Sequence, residues 1–267
     1  MSVQLKEISP SEILQPYIEN YWHAVFNPAS SQMLSFRVIP RGVVELVLHL
    51  SDFHCDLEIN NEWSQSPDHT LIGLWKEAYE VRFQKKVEVL GIRFKPDGFY
   101  ALFGIPVAEF NQRNTDMEDV LGLAFRDYVG RLREAIDARE QLKLTEHFLL
   151  KMLQKNDQTL PYLQSAAELI RNESGEISVD ELSQKVFISP RQLEREFKNV
   201  IGLSPKAYIR IARLQQAQRL IRQNQFANLA QLAYHCGYYD QSHFIRDFKK
   251  ITGVAPTQFI EKQEQFI

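Results

Sequence analysis

A chain of 267 residues, 44% hydrophobic with 17 Phe, 10 Tyr and 3 Trp, can bury the core of one large or two ordinary domains and is not disordered. Cys55 and Cys236 stand far apart, outside any Cys-x-x-Cys pair, which excludes a disulfide scaffold and a cysteine zinc module and fits a reducing compartment. The first seven residues carry no apolar signal core and no run approaches the ~20 apolar residues of a membrane span, so a cytoplasmic protein with no membrane partner is expected.

The formal net charge of −3 conceals an uneven distribution. Between Leu182 and Lys250 there are 12 Lys and Arg against 4 Asp and Glu. From Leu160 onward the count is 14 against 11, so the preceding part, at 17 against 23, is acidic. A basic segment joined to an acidic one is the charge pattern of a nucleic-acid binder with a separate, non-binding domain.

Residues 1–110 read as strand-rich. Ser35–Ile39 and Val43–Leu50 are β-branched and apolar, divided by the turn residues Pro40, Arg41 and Gly42. Leu71–Trp75, Tyr79–Phe83 and Val87–Phe94 continue the pattern, and such spacing predicts a barrel or a sandwich. A helix is expected over Asp97–Phe103 and a short turn over Pro106–Phe110. Trp22, Trp75, Tyr79 and Phe83 are candidates to line an apolar ligand cavity, the alternative being plain core.

His49, His54, Cys55 and His69 have metal-ligand chemistry, but the His-x-His spacing of cupin-type barrels is absent and no metal site is expected. Gly-x-Ser-x-Gly, Gly-Lys-Ser/Thr and Gly-x-Gly-x-x-Gly are absent too, so no catalytic residue and no cofactor is assigned.

Thr115–Glu118 has capping-box spacing and places a helix start near Asp116. Leu121, Leu123, Phe125, Tyr128, Val129, Leu132 and Ile136 would supply its apolar stripe. A second helix over Arg139–Lys155 puts Leu142, Leu144, Phe148, Leu149, Met152 and Leu153 on a broad apolar face. That face is available for a homodimer or for covering the barrel. Asn156–Thr159 is linker-like, so a boundary is set there, between a domain over 1–156 and one over 160–263. In the first, strands should run to about residue 95 and helices over about 97–155.

The C-terminal part contains a repeat. Leu193–Ile209 shifted by 51 residues lies on Phe244–Ile260, and Arg, Phe, Lys, Gly, Pro and the final Ile coincide. Each copy has helix-turn-helix grammar, over about 178–200 and about 228–251. In the first, Ser178–Glu181 is a capping box and Leu182 and Val186 face inward. Ser189 and Pro190 then supply an N-cap and a first helical residue. Leu193 and Phe197, four apart, pin the next helix inward and leave Arg191, Glu194 and Arg195 outward. A longer helix from Ser204 and Pro205 to about Arg222 joins the modules. In the second copy Phe244 and Phe248 face inward, while Gln241, Ser242, His243, Ile245 and Arg246 fall outward.

These residues carry a resemblance. Leu182-Ser, Ser189, Leu193, Arg195, Phe197-Lys, Gly202, Ser204-Pro, Tyr208-Ile, Arg213-Leu, Ala217 and Leu220 resemble the first half of the AraC/XylS-type DNA-binding domain. Ala233, Gly237-Tyr, Asp240, Ser242-His-Phe, Arg246, Phe248-Lys-Lys, Gly253, Ala255-Pro and Phe259 resemble that family's C-terminal signature. Ala255 departs from the usual Ser at the last N-cap, and Ile260 stands where Arg is common. Trp22-His, Ile39–Gly42, Val44–Leu46 and Gly91–Gly98 resemble an uncharacterised N-terminal domain often fused to such regulators.

The resemblance implies a sequence-specific transcriptional regulator of double-stranded DNA whose recognition helices enter successive major-groove segments about 34 Å apart. It also implies a small-molecule effector or partner at the N-terminal domain, and contact with RNA polymerase if the protein activates. Base readout is assigned to Arg191, Glu194, Arg195, Gln241, Ser242, His243 and Arg246, with Arg suited to guanine and Glu to cytosine N4. Glu194 could equally pair with a neighbouring Arg and orient it. Lys198, Lys249 and Lys250 are assigned to phosphate. Two other readings stay open: a reader fused to an enzymatic domain, cupin-like or alkyl-transferring, and an architectural DNA protein without sequence preference. The expected fold is α+β: a β-rich barrel or sandwich with following helices, then an all-α domain of two helix-turn-helix modules.

Overall fold

Alternation of apolar and polar residues shapes the N-terminal part. In Tyr79–Phe83 the side chains of Tyr79, Val81 and Phe83 are buried while Glu80 and Arg82 are half-exposed, the period of a strand with one face covered. The computed structural model describes residues 2–29, 33–59, 62–110, 114–156 and 158–266. Its strands are β1 (Ser2–Ile8), β2 (Ile18–Asn27), β3 (Leu34–Val38), β4 (Glu45–His49), β5 (Asp56–Ile59), β6 (Glu62–Gln65), β7 (His69–Ile72), β8 (Tyr79–Phe83), β9 (Val87–Phe94) and β10 (Asn114–Asp116). They pair antiparallel in two sheets, ordered β1-β2-β9-β4-β7-β10 and β3-β8-β5-β6.

The sheets are open, and the described residues form no closed barrel. Between them lies a core of Ala24, Phe26, Val47, Val87 and Val89 from one sheet and Leu34, Leu57, Val81 and Phe83 from the other. Phe26 stacks on Phe83 at 4.0 Å. On β4, Val47 faces this core while Leu46 and Leu48 face the helices behind; β9 divides in the same way. Burial on both faces explains why Val43–Leu50 is apolar at successive positions, interrupted only by Glu45 and His49.

The helices are α1 (Gly98–Phe103), α2 (Met117–Leu121), α3 (Leu123–Glu134), α4 (Ala138–Asn156), α5 (Pro161–Asn172), α6 (Val179–Lys185), α7 (Pro190–Glu196), α8 (Pro205–Arg222), α9 (Leu229–His235), α10 (Gln241–Thr252) and α11 (Pro256–Glu261). The expected helix from Asp116 is split. Gly122, at φ +64°, ends α2, and α3 restarts on a different axis. Leu123, expected in the apolar stripe, is the first residue after this break and is 72% exposed; Ile136, also expected there, lies beyond the last helical residue, Glu134, and is 91% exposed. The strand expected over Leu71–Trp75 begins at His69 and stops at Ile72, leaving Trp75 in the following loop. The apolar face of α4 covers α1 and α3, with Phe148 stacked on Tyr128 at 4.4 Å. Of the expected linker, Asn156 is the last residue of α4 and donates from Nδ2 to the Leu102 carbonyl; Asp157 lies outside the described residues.

One apolar core runs from the larger sheet through Phe99, Phe103, Phe125 and Phe148 into the first helical module, at Leu163, Leu182, Leu193, Phe197 and Tyr208. A second core, of Leu214, Ala217, Leu232, Phe244, Phe248, Ile251 and Phe259, holds the last module together. Ile39, from the N-terminal part, is buried in that second core.

Candidate nucleic-acid interface and the cavity behind it

Local chemistry starts each helix of the two modules. Ser178 Oγ accepts from the Glu181 backbone N–H and the Glu181 carboxylate accepts from Ser178 N–H, a complete capping box that draws the Glu181 carboxyl below its usual range. Ser189 Oγ caps α7 through Gln192 N–H, and Pro190 occupies the first helical position. Asn228 Oδ1 caps α9 and Asp240 Oδ1 caps α10, through Gln231 and His243 N–H at 2.9 and 2.8 Å. The repeat diverges where the first reader ends: Phe197–Ile201 closes in a π turn, whereas α10 stays α-helical to Thr252.

Each reader buries one face and shows the other. Leu193 and Phe197 are buried under α7, and Phe244 and Phe248 under α10. Arg191, Arg195 and Lys198 are exposed on the first reader; Gln241, Ser242, His243, Arg246, Lys249 and Lys250 are exposed on the second. Glu194 is half-buried, its Oε1 3.5 Å from Lys198 Nζ. The orienting carboxylate for Arg195 is Glu196, 3.1 Å from Nη2. Glu196 also accepts from Tyr162 on α5 and from Gln192, and these bonds, with Tyr162 foremost, draw its carboxyl down. Ile245, expected outward, is half-buried, packed against the second core.

The counterpart of Glu196 in the repeat is Asp247. It takes Nε and Nη2 of Arg210 on α8 at 2.9 and 2.6 Å, with His243 Nε2 3.8 Å away. Each reader arginine is thus followed by an acid tied to the helix beneath. Periodicity could not reveal Arg210, since it pairs across 37 residues. Three aromatics are also exposed here: Phe187 at φ +57° in the first turn, and Tyr234 and Tyr239 beside the second reader.

Behind the readers, between the two sheets, is a cavity of about 220 Å³. Trp22, Trp75, Tyr79 and Phe83 are brought together in its lining, with Val38–Val43, Glu45, His49, Cys55 and Arg93. The histidines bond locally. His49 Nδ1 meets the Asp68 carbonyl at 3.1 Å and Nε2 meets Ser66 Oγ at 3.3 Å, while His54 stacks on the His49 ring. Burial and the neighbouring His54 lower the His49 pKa to about 4, so the ring is neutral. Among the described residues no group of three or more His, Cys, Asp or Glu is placed to hold a metal ion.

The cavity wall is also the wall between sheets and readers. Gln215 Nε2 on α8 donates to the Arg41 carbonyl at 2.5 Å, and Gly42 lies against Tyr208 and Ile211. Ala78 N–H donates to the Ile251 carbonyl of α10 at 2.7 Å. Arg37 bridges to Phe266.

With this geometry in place, the comparisons with known proteins are specific. Residues 182–262 match a helix-turn-helix domain family. The HTH-type transcriptional activator RhaS of Escherichia coli is 30% identical over 92 residues, 34% of this chain and 33% of that protein. The probable transcriptional regulator LumQ of Photobacterium leiognathi is 37% identical over 83 residues, 31% and 33% of the two chains. The C-terminal region is an AraC-type helix-turn-helix domain. The chain spans about a third of the length of these curated relatives. Residues 6–116 match a domain of unknown function, DUF6597. A structure of ToxT from Vibrio cholerae aligns over 90% of this chain and 98% of its own, at 13% identity and a TM-score of 0.48. No helix among the described residues is long and apolar enough to cross a membrane.

Proposed function

We propose that the chain is a sequence-specific transcriptional regulator that reads two successive major-groove segments of double-stranded DNA and is controlled through its N-terminal part. The observation that carries this is the pair of repeat-related helices, α7 and α10, each presenting an exposed arginine, Arg195 or Arg246, opposite a buried apolar pair. Base readout falls to Arg191, Arg195, Gln241, Ser242, His243 and Arg246, with Glu194 contributing through cytosine or through Lys198. Lys198, Lys249 and Lys250 face phosphate, where they release counterions without reading sequence. Relatives named as a transcriptional activator and a probable regulator support this reading.

The division falls between 1–156 and 160–263, the first part sensing and the second reading. The effector is a small molecule in the cavity, communicating through the wall at 39–42 and 75–79. The protein works in the cytoplasm, as a homodimer through the N-terminal part, and meets RNA polymerase when it activates. It is not an enzyme. A transferring cysteine needs a lowered pKa, yet burial pushes Cys55 up and pushes Cys236 to about 12.

Selection of bound sequences from a random duplex pool should return a bipartite motif with half-sites one helical turn apart. Recovery of unselected sequence would reject sequence-specific reading.

A further inference from the structure

The two oxygens of Glu196 have different partners. The Tyr162 hydroxyl, on α5, donates to Oε2. Oε1 accepts from Gln192 Nε2 and from Arg195 Nη2, each at 3.1 Å. The side chain of Glu196 is 21% exposed and that of Arg195 is 74% exposed. The contacts therefore run outward from the protein, from phenol to carboxylate to guanidinium.

The phenol stands on a fixed element. Tyr162 is half-buried against the first apolar core, and Leu163 beside it is fully buried. The helix itself is held along its length. Leu160 N–H, at its start, bonds the buried Asp97. Gln164 Nε2 donates to the Pro16 carbonyl at 3.0 Å, and Arg171 Nη1 reaches Glu19 at 3.3 Å. A support of this kind is what a recognition side chain needs if it is to keep one geometry.

Arginine gains most from such a support. Its long exposed stem must otherwise be ordered at each binding event, and that ordering costs affinity. Held at one Nη, the planar fork keeps its remaining N–H donors for guanine O6 and N7. The second reader is built differently. Asp247, at the position of Glu196 in the repeat, takes Arg210 and the Tyr238 hydroxyl. Arg246 Nε donates instead to the Ser242 carbonyl of its own helix at 3.3 Å.

We infer that Tyr162 is a positioning residue for base readout: through Glu196 it holds the Arg195 guanidinium in the orientation that recognises one guanine. This rests on the reading of α7 as a base reader.

Sequence selection and operator binding should be run on the full chain carrying Tyr162→Phe, Arg195→Ala or both. Tyr162→Phe keeps the packed ring and removes only the hydroxyl. It should lower discrimination for guanine at the position read by Arg195 about three- to tenfold, the weight of a single hydrogen bond. The half-site read by α10 should be unchanged. So should the slope of log affinity against log salt, because no phosphate contact is lost. With Arg195 already alanine, Tyr162→Phe should have no further effect at that position. Glu196→Gln leaves Tyr162 in place, weakens the hold on the guanidinium, and should relax the same position.

Unchanged discrimination in Tyr162→Phe, or equal loss at both half-sites, would overturn the proposal. So would a full effect of Tyr162→Phe in the Arg195→Ala background, or relaxation by Glu196→Gln at a different position. Arg195→Ala alone tests the reading beneath. An unchanged motif there would reject Arg195 as a base reader, whereas a relaxed motif with Tyr162→Phe silent would reject the positioning role alone.

Discussion

Arg210 holds Asp247 by two hydrogen bonds, joining the helix between the modules to the second reader. Asp247 is also 3.5 Å from the Tyr238 hydroxyl and near His243, so this one carboxylate sets both the tilt of α10 and the position of a candidate base-reading ring. Its side chain is 13% exposed and that of Arg210 32%, so solvent screens the pair only in part. Asp247→Ala should cost about 1–3 kcal/mol in stability, as the loss of charge-assisted bonds does. Sequence preference in the half-site read by α10 should fall more than in the other. Urea melts and a half-site competition assay check both. Equal loss at the two half-sites would show that Asp247 does not position the second reader in particular.

The proposed division between base readers and phosphate contacts predicts different outcomes for different substitutions. Arg195→Ala should cost about 1–3 kcal/mol of binding and relax preference at one position. Lys249→Ala should weaken binding to all sequences alike and lower the slope of log affinity against log salt by about one. Repeating the sequence selection with each variant tests the pair. An unchanged motif for Arg195→Ala, or a changed one for Lys249→Ala, would reverse the assignment.

What was legible in the sequence followed local rules. Ser178, Ser189, Ser204 and Asp240 cap helices because their oxygens satisfy N–H groups three residues on, and that signal lies wholly within a few positions. Four-residue spacing placed Phe244 and Phe248 in the core for the same reason. Non-local choices stayed hidden. Nothing near Arg210 marks it for Asp247, and nothing near Ile39 shows that it leaves its own sheet for the core of the second reader. The break at Gly122 outweighed an apolar pattern that would have continued through it. Trp22 and Trp75 could be suspected of lining a cavity from their type, but that the Nε1–H of each is buried without a hydrogen-bond partner is a property of packing alone.

The contact between sheets and readers should be energetically coupled. Ile39→Ala removes a side chain, 3% exposed, from the second core, and large-to-small changes of this kind cost about 2–4 kcal/mol. That cost should fall on the helical part, raising hydrogen exchange in α10 before the strands loosen. Gln215→Ala removes only the bond to the Arg41 carbonyl and should shift operator affinity with little change in melting. Exchange protection in α10 untouched by Ile39→Ala would mean that the two parts are not docked in this way.

Two buried groups should oppose each other as the solution becomes acid. Burial, with the nearby His54, holds the His49 pKa near 4, while an unfolded imidazole takes its proton near 6.5. As pH falls through that window the unfolded chain is protonated first, and stability is lost. Asp97 does the reverse. Burial raises its pKa to about 6 against an ordinary 3.8, so the folded chain takes the proton first and gains stability over nearly the same range. Each effect is worth about 1–3 kcal/mol, so between pH 4 and 6 the contributions of these two groups should largely offset each other. Asp97→Asn keeps an oxygen for the Leu160 N–H and removes the charge. It should stabilise the protein at pH 7 and expose the His49 loss as a decline towards pH 4. His49→Gln should show the opposite slope. Urea titrations at half-unit pH steps read both, and parallel profiles for the two variants would show that neither group titrates in its folded environment as described.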